Sequence, residues 1–266
     1  MGFLKGICAF LERDFLEDIS YRTAFLLNFF GIFVYVAVWY FIPAFFMKGI
    51  PVDGLDPFSW FLGGIAVWQF LNVPLHGFAR RIRSEQLSGT LEAMLATPAR
   101  TSLVLFGSTA WDFVFSGMNL VLYMVLGVLV FGARLHFSSI PSALVVLALT
   151  ALCFSGIGIL AASGIFYFKR GDPVTFFIGG IMQLFGGVYF PASALGGKLG
   201  WIADWIPLTY ATRSFRGTLF RGESLAAHRG ELIALLGFSA VIIPLGLLMA
   251  RLAIRRARID GTLAQY

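Results

Sequence analysis

Phe58-Ser-Trp-Phe-Leu-Gly-Gly-Ile-Ala-Val-Trp-Gln-Phe-Leu-Asn-Val-Pro-Leu-His-Gly-Phe-Ala79 runs without a single Asp, Glu, Lys or Arg, and Arg80-Arg-Ile-Arg83 follows at once. About 20 residues at 1.5 Å per residue cross a hydrocarbon core about 30 Å thick, and Lys and Arg gather on the cytoplasmic flank of such a run. The stretch therefore reads as a membrane span ending at the cytoplasmic face. Similar charge-free runs cover Ala24 to Met47, Leu135 to Phe168, Pro173 to Gly197 and Leu232 to Ala250, and Thr101 to Ala133 contains only Asp112. With 58% of 266 residues hydrophobic, 13% charged and a mean hydropathy of +0.83, the chain falls outside the soluble globular range. It reads as an all-α polytopic membrane protein, a single domain over 1–266 with six transmembrane helices at 24–47, 58–79, 102–131, 142–168, 173–190 and 231–250.

Charge sets the expected orientation. Thirteen of the twenty Lys and Arg fall in 1–23, 80–100, 169–172 and the tail after 250, and seven fall on the opposite side, five of them in the long 191–231 connection. Both termini should therefore lie in the cytoplasm, at a cytoplasmic (inner) membrane. The first apolar run is too long for the core of a secretory leader and lacks a small-residue cleavage site, so no leader is expected. Cys8 and Cys153 read as small apolar side chains, and His76, His136 and His228 are scattered, so neither type suggests a metal site. The net charge of +6 comes mostly from membrane flanks and does not imply a nucleic-acid partner.

Ahead of the first span, Leu4, Ile7, Cys8, Leu11, Phe15 and Ile19 recur at helical spacing. Residues 1–22 thus read as an amphipathic helix, either lying in the membrane interface or packed on the protein as a cytosolic helix. In the fifth span Gly179, Gly180, Gly186 and Gly187 form two pairs seven apart, predicting a small face for close helix approach. After it, the stretch 191–221, taken with Tyr189 and Phe190 just before it, is apolar and aromatic over 189–197 and 201–210 but broken by Pro191, Gly196, Gly197, Gly200 and Pro207. It reads as a re-entrant hairpin on the outer side or as an aromatic belt on an ordinary loop.

Ser84-Glu-Gln-Leu-Ser-Gly-Thr-Leu-Glu-Ala-Met-Leu-Ala-Thr-Pro98 reads as a separate short helix over 84–96, with Ser84 as its cap, Glu85 and Gln86 in its first turn and Pro98 ending it. Leu87, Leu91, Met94 and Leu95 share one face, suited either to a groove in another protein or to the chain's own bundle. Gly89, unfavourable in a helix interior by about 1 kcal/mol, suggests close approach to a neighbour.

This stretch resembles the coupling-helix region of type-2 ATP-binding cassette exporter permeases, in which a Gly-Thr-Leu-Glu core and a Thr-Pro ending recur. The likeness continues in Lys169-Arg-Gly-Asp-Pro173, Gly187-Val-Tyr-Phe-Pro191 and Pro207-Leu-Thr-Tyr210 followed by Arg213 and Arg216, in the family's order and over nearly the whole chain. The resemblance implies a half-transporter that pairs with a second copy of itself or a paralogous permease, surrounded by membrane lipid. A cytosolic ATPase would contact Glu85, Leu87, Gly89, Thr90, Leu91, Glu92, Met94 and Leu95. Tyr189, Phe190, Pro191, Pro207 and Tyr210 would form the outer gate, and Phe33, Tyr40, Gly179 and Gly186 the dimer and pathway surface. Gln86-Leu-Ser-Gly-Thr echoes the signature of the ATPase subunits, yet no G-x-x-x-x-G-K-[ST] loop occurs in the chain. The permease is therefore expected to bind no cofactor and to catalyse nothing, with ATP and Mg held by the partner ATPase.

Aromatic and aliphatic span walls (Phe29, Phe30, Phe33, Tyr35, Trp39, Tyr40) point to export of an amphipathic or lipid-linked cargo, such as a drug, lipid or glycolipid. A polysaccharide-exporting permease of the same family is the near alternative. An ion-coupled secondary transporter, needing intramembrane ionisable groups, or a scaffold without transport are the distant ones. Asp112 is the clear candidate for such a group, with either a structural or a mechanistic role.

Overall fold

The computed structural model describes residues 3–20, 22–47, 52–87, 101–164 and 173–259. Among them the chain is helical, apart from turns, short 3-10 segments and one isolated bridge between Val52 and Leu55. The helices are α1 (Phe3–Ser20), α2 (Arg22–Phe46), α3 (Pro57–Leu87), α4 (Thr101–Leu129), α5 (Ile140–Ser163), α6 (Pro173–Phe185), α7 (Gly196–Asp204), α8 (Pro207–Arg221) and α9 (Arg229–Ile259). Among the described residues five stretches, centred on α2, α3, α4, α5 and α9, are long and apolar enough to cross a membrane.

Central helix α3 packs against α2, α4, α5, α6 and α8. Its start follows from local chemistry: Asp56 Oδ2 accepts the Ser59 N–H at 2.9 Å, and Pro57 takes the first helical position, where its missing N–H leaves no intrahelical bond unmade. Trp60, Val67, Leu71, Leu75 and Phe78 are buried along its length, as a helix in the middle of a bundle requires. α5 lies between α3 and α9, and two glycines set the spacing. A Cβ on Gly158 would run into the carbonyl of Pro74 in α3, and one on Gly156 would press on Ile243 in α9. Such small residues let backbones approach in a membrane, where dispersion contacts rather than water exclusion hold helices together. The outer helices α2, α6 and α9 keep large apolar side chains exposed, among them Phe30, Phe45, Phe176 and Ile233.

Three expectations change. Ser84 does not cap a new helix, because α3 continues without a break through Leu87 and Ser84, Glu85 and Gln86 extend its last turns; polar residues of ordinary propensity continue a helix already nucleated. The fifth apolar run holds a helix only to Phe185, about 20 Å long at 1.5 Å per residue and short of a full crossing. The Gly186 N–H closes it on the Met182 carbonyl at 2.7 Å, and Gly187 turns the chain with φ of 75°. The two glycine pairs therefore do not share a helix face. The final helix is longer than the apolar run that signals it, extending through Arg251, Arg255 and Arg256. Residues 88–100 and 165–172, with most of the 84–96 stretch and the Lys169-to-Asp172 turn, lie outside the described residues.

Candidate functional site

Polar side chains gather at two places along α3. Toward its Leu87 end, α4 carries Asp112, Ser116, Asn119 and Tyr123 at i, i+4, i+7 and i+11, which is one helix face. Gln69, Asn72, Gly77, Arg80, Arg81 and Ser84 of α3 and Asn28 of α2 complete a cavity of about 590 Å3. Asn28 Nδ2 donates to Asn119 Oδ1 at 3.1 Å, and Gln69 Nε2 donates to the Tyr123 hydroxyl at 3.2 Å. A third link repairs α3 itself. Pro74 has no N–H, so the Phe70 carbonyl lacks its intrahelical donor, and Ser116 Oγ donates to it at 3.1 Å. Amides and hydroxyls within a bundle persist where they pair or face water, and such groups mark paths for polar matter.

α1 packs against α4 beside the Leu87 end of this cleft. Its Asp14, buried, receives Arg13 at 2.7 Å and lies 3.8 Å from Arg81 of α3, while Phe15 meets Trp111 of α4 edge-on at 5.2 Å. Asp112 stands in the cleft wall near Gly77. Sequence reading singled out Asp112 and missed the uncharged groups around it, although their helical spacing on α4 was a visible signal.

At the Pro57 end of α3, the turn after α6, the short α7 and the buried α8 form a capping assembly. Trp39 of α2 stacks on Phe61 of α3 at 5.4 Å and on Tyr189 at 5.1 Å, a three-ring pile joining two long helices to the turn. Tyr189 also accepts a hydrogen bond from Gln183. Pro191 leads into the 3-10 turn Ala192–Leu195 and Phe190 is half-buried beside it. Pro207 starts α8, and the Tyr210 hydroxyl donates to the Asp204 carbonyl at 2.8 Å. The residues read as a gate thus come together at one end of the bundle.

Arg216 locks this assembly onto α3. Its guanidinium donates to the carbonyls of Trp60 at 2.8 Å, Gly187 at 2.7 Å and Val188 at 3.5 Å, and its carbon lies 3.7 Å from the Trp60 ring centre. Gly64 makes room for it, since a Cβ there would collide with the guanidinium. Burial pulls the Arg216 pKa down to about 9, and the group still carries its charge at neutral pH. Thr212 Oγ1 adds a bond to the Gly186 carbonyl at 3.0 Å.

The remaining expected residues divide. Tyr40 packs edge-on to Phe58 at 5.2 Å and lies 4.9 Å from Phe131, and Phe33, 40% exposed, reaches the same cluster at 6.2 Å. Gly179 faces His76 of α3 and Gly186 faces Leu208 of α8, so within this chain both serve internal packing instead of a common outward surface. Glu85 and Leu87 end α3, and Gly89, Thr90, Leu91, Glu92, Met94 and Leu95 lie outside the described residues.

The family model for the ABC-2 type transporter matches residues 7–220, from α1 to α8, and so takes in both the cleft and the capping assembly. The chain belongs to the ABC-2 type transporter family. No curated protein matches it. The ABC-2 membership and the five long apolar helices together make it a multi-pass membrane protein and the permease subunit of an ABC-type transporter. The match ends one residue before Arg221, so the whole of α9 lies beyond it.

Proposed function

We propose that this ABC-2 permease exports an amphipathic or lipid-linked cargo outward across the cytoplasmic membrane, with both termini in the cytoplasm. It works as a pair with a second copy or a paralogous permease. Its family typically partners with an ATPase subunit, and here that subunit holds the ATP and Mg and docks on the 84–96 stretch. The observation that supports this reading is the polar cleft between α2, α3 and α4, which opens beside the α3 end from which that stretch leads. Push from the ATPase would enter α3 at Leu87 and reach the gate assembly through Trp60 and Arg216.

The amide groups of Asn28, Gln69, Asn72 and Asn119 favour a cargo whose head is rich in hydroxyls, a glycolipid above a purely apolar drug, and they keep polysaccharide export as a second reading. Family membership speaks against the ion-coupled alternative.

Leu91→Asp puts a charge on the docking face, where burial would be unfavourable by several kcal/mol. The variant should insert normally, lose co-purification with the ATPase in mild detergent, and lose ATP-driven export in reconstituted vesicles. Export at the wild-type rate, or a wild-type protein that captures no ATPase, would overturn the coupling model.

A further inference from the structure

The capping assembly borders a second cavity, of about 390 Å3, with Trp60 in its wall. Its walls are the α2–α3 connection at Asp53, the turn from Gly187 to Ser193, and one side of α8 with Thr209, Thr212, Arg213, Arg216 and Arg221. Three guanidinium groups and a single carboxylate thus line one cavity. Positive charge on this connection runs against the charge bias of the loops, and α8 turns much of it inward instead of leaving it at a membrane flank.

The charges are unevenly compensated. Arg221 is paired, with Nε 2.8 Å from Glu223, and Arg213 meets Glu231 only at 4.0 Å with its side chain half-exposed. Asp53 spends Oδ2 on the Trp60 indole N–H at 3.2 Å. Arg216, 5% exposed, has no carboxylate within ion-pair distance among the described residues; its three bonds there go to backbone carbonyls, and a guanidinium has five N–H donors. Independently, the Thr209 hydroxyl in the same wall is buried and has no hydrogen-bond partner among the described residues. A buried hydroxyl without a partner is unfavourable in a finished wall and ordinary in a wall that awaits a ligand.

We propose that this cavity is a binding site for a phosphate-type anion, held by Arg213 and Arg216 with the Thr209 hydroxyl as a further donor. Planar forks with several N–H groups suit the tetrahedral oxygens of phosphate and diphosphate, and Trp60 beneath Arg216 keeps the fork in place. The anion could be free in solution or be the headgroup of a lipid or a lipid-linked molecule; the recognising chemistry is the same. The proposal does not depend on the direction of transport or on the ATPase, so its failure would leave the exporter reading untouched.

The test uses the full chain in nanodiscs of neutral phosphatidylcholine, titrated with inorganic pyrophosphate by calorimetry, and in parallel nanodiscs carrying phosphatidylglycerol, read by native mass spectrometry for retained lipid. We expect saturable binding in at least one arm, weakened about tenfold by Arg213→Gln and about threefold by Thr209→Val, and weakened further by salt. Arg213 is half-exposed and Thr209→Val preserves volume, so both variants should fold even if Arg216→Gln does not. Binding in the pyrophosphate arm marks a free-anion site, and binding in the lipid arm alone marks a headgroup site. No saturable binding in either arm, or binding unchanged in both variants, overturns the proposal.

Discussion

The cleft at the Leu87 end of α3 and the lock at its Pro57 end are both polar, yet they are built on opposite principles. In the cleft, neutral amides and hydroxyls on three helices pair loosely around about 590 Å3 of open space, so each can trade its partner for water. At the lock, one cation is buried against three carbonyls and an indole face, with a glycine in α3 clearing its place. The difference teaches that polar groups in a membrane bundle divide by their freedom to re-pair. Where they are free, they suit passage; where they are fixed, they hold helices together.

Removing the lock should have the largest effect on stability. Arg216→Leu leaves the carbonyls of Trp60, Gly187 and Val188 without their donor in a buried place, a loss of about 3 kcal/mol or more. Thermal unfolding in detergent should shift down by several degrees, and a midpoint equal to wild type would erase the distinction between lock and cleft. Ser116→Ala should fall in between, because it strips the Phe70 carbonyl of the donor that replaces Pro74's missing N–H, a loss of about 1–2 kcal/mol. Ser155→Ala, whose hydroxyl bonds back to the Ala151 carbonyl in its own helix, is the control and should stay within about 0.5 kcal/mol. Asn119→Leu should change stability least among the cleft and lock variants, by under about 1 kcal/mol, since Asn28 can turn to the cavity. Export should nevertheless drop about tenfold; an unfolded Asn119→Leu protein, or one exporting normally, would mean that the cleft is structural.

Five of the long helices were legible because a charge-free run of membrane length has few other uses, and Arg80, Arg81 and Arg83 fixed where one such run meets the surface. The end of α6 was not, because helical periodicity gives the same spacing to Gly179 and Gly186 whether or not the chain is still helical between them; the turn at Gly187 decides that. Ser84 was misread because a residue that caps well is also tolerated inside a helix, and nothing local stops α3 before Leu87. The cleft was not legible from charge alone, because Asp112 is the charged member of an α4 stripe that otherwise consists of an amide and hydroxyls. Arg216 carries no local mark of burial at all. Its place depends on Gly64 and Gly187, far away in sequence, which no period along α8 reveals.

The contact between Gly158 and the Pro74 carbonyl lies near the middle of α3. From Pro74 to Leu87 the helix extends about 20 Å, and from Pro74 back to Trp60 about 21 Å, at 1.5 Å per residue. α3 is thus a balance beam with arms of nearly equal length resting on α5. If it tilts as one body on that fulcrum, a displacement at Leu87 arrives at Trp60 undiminished and reversed in sense, neither amplified nor geared down.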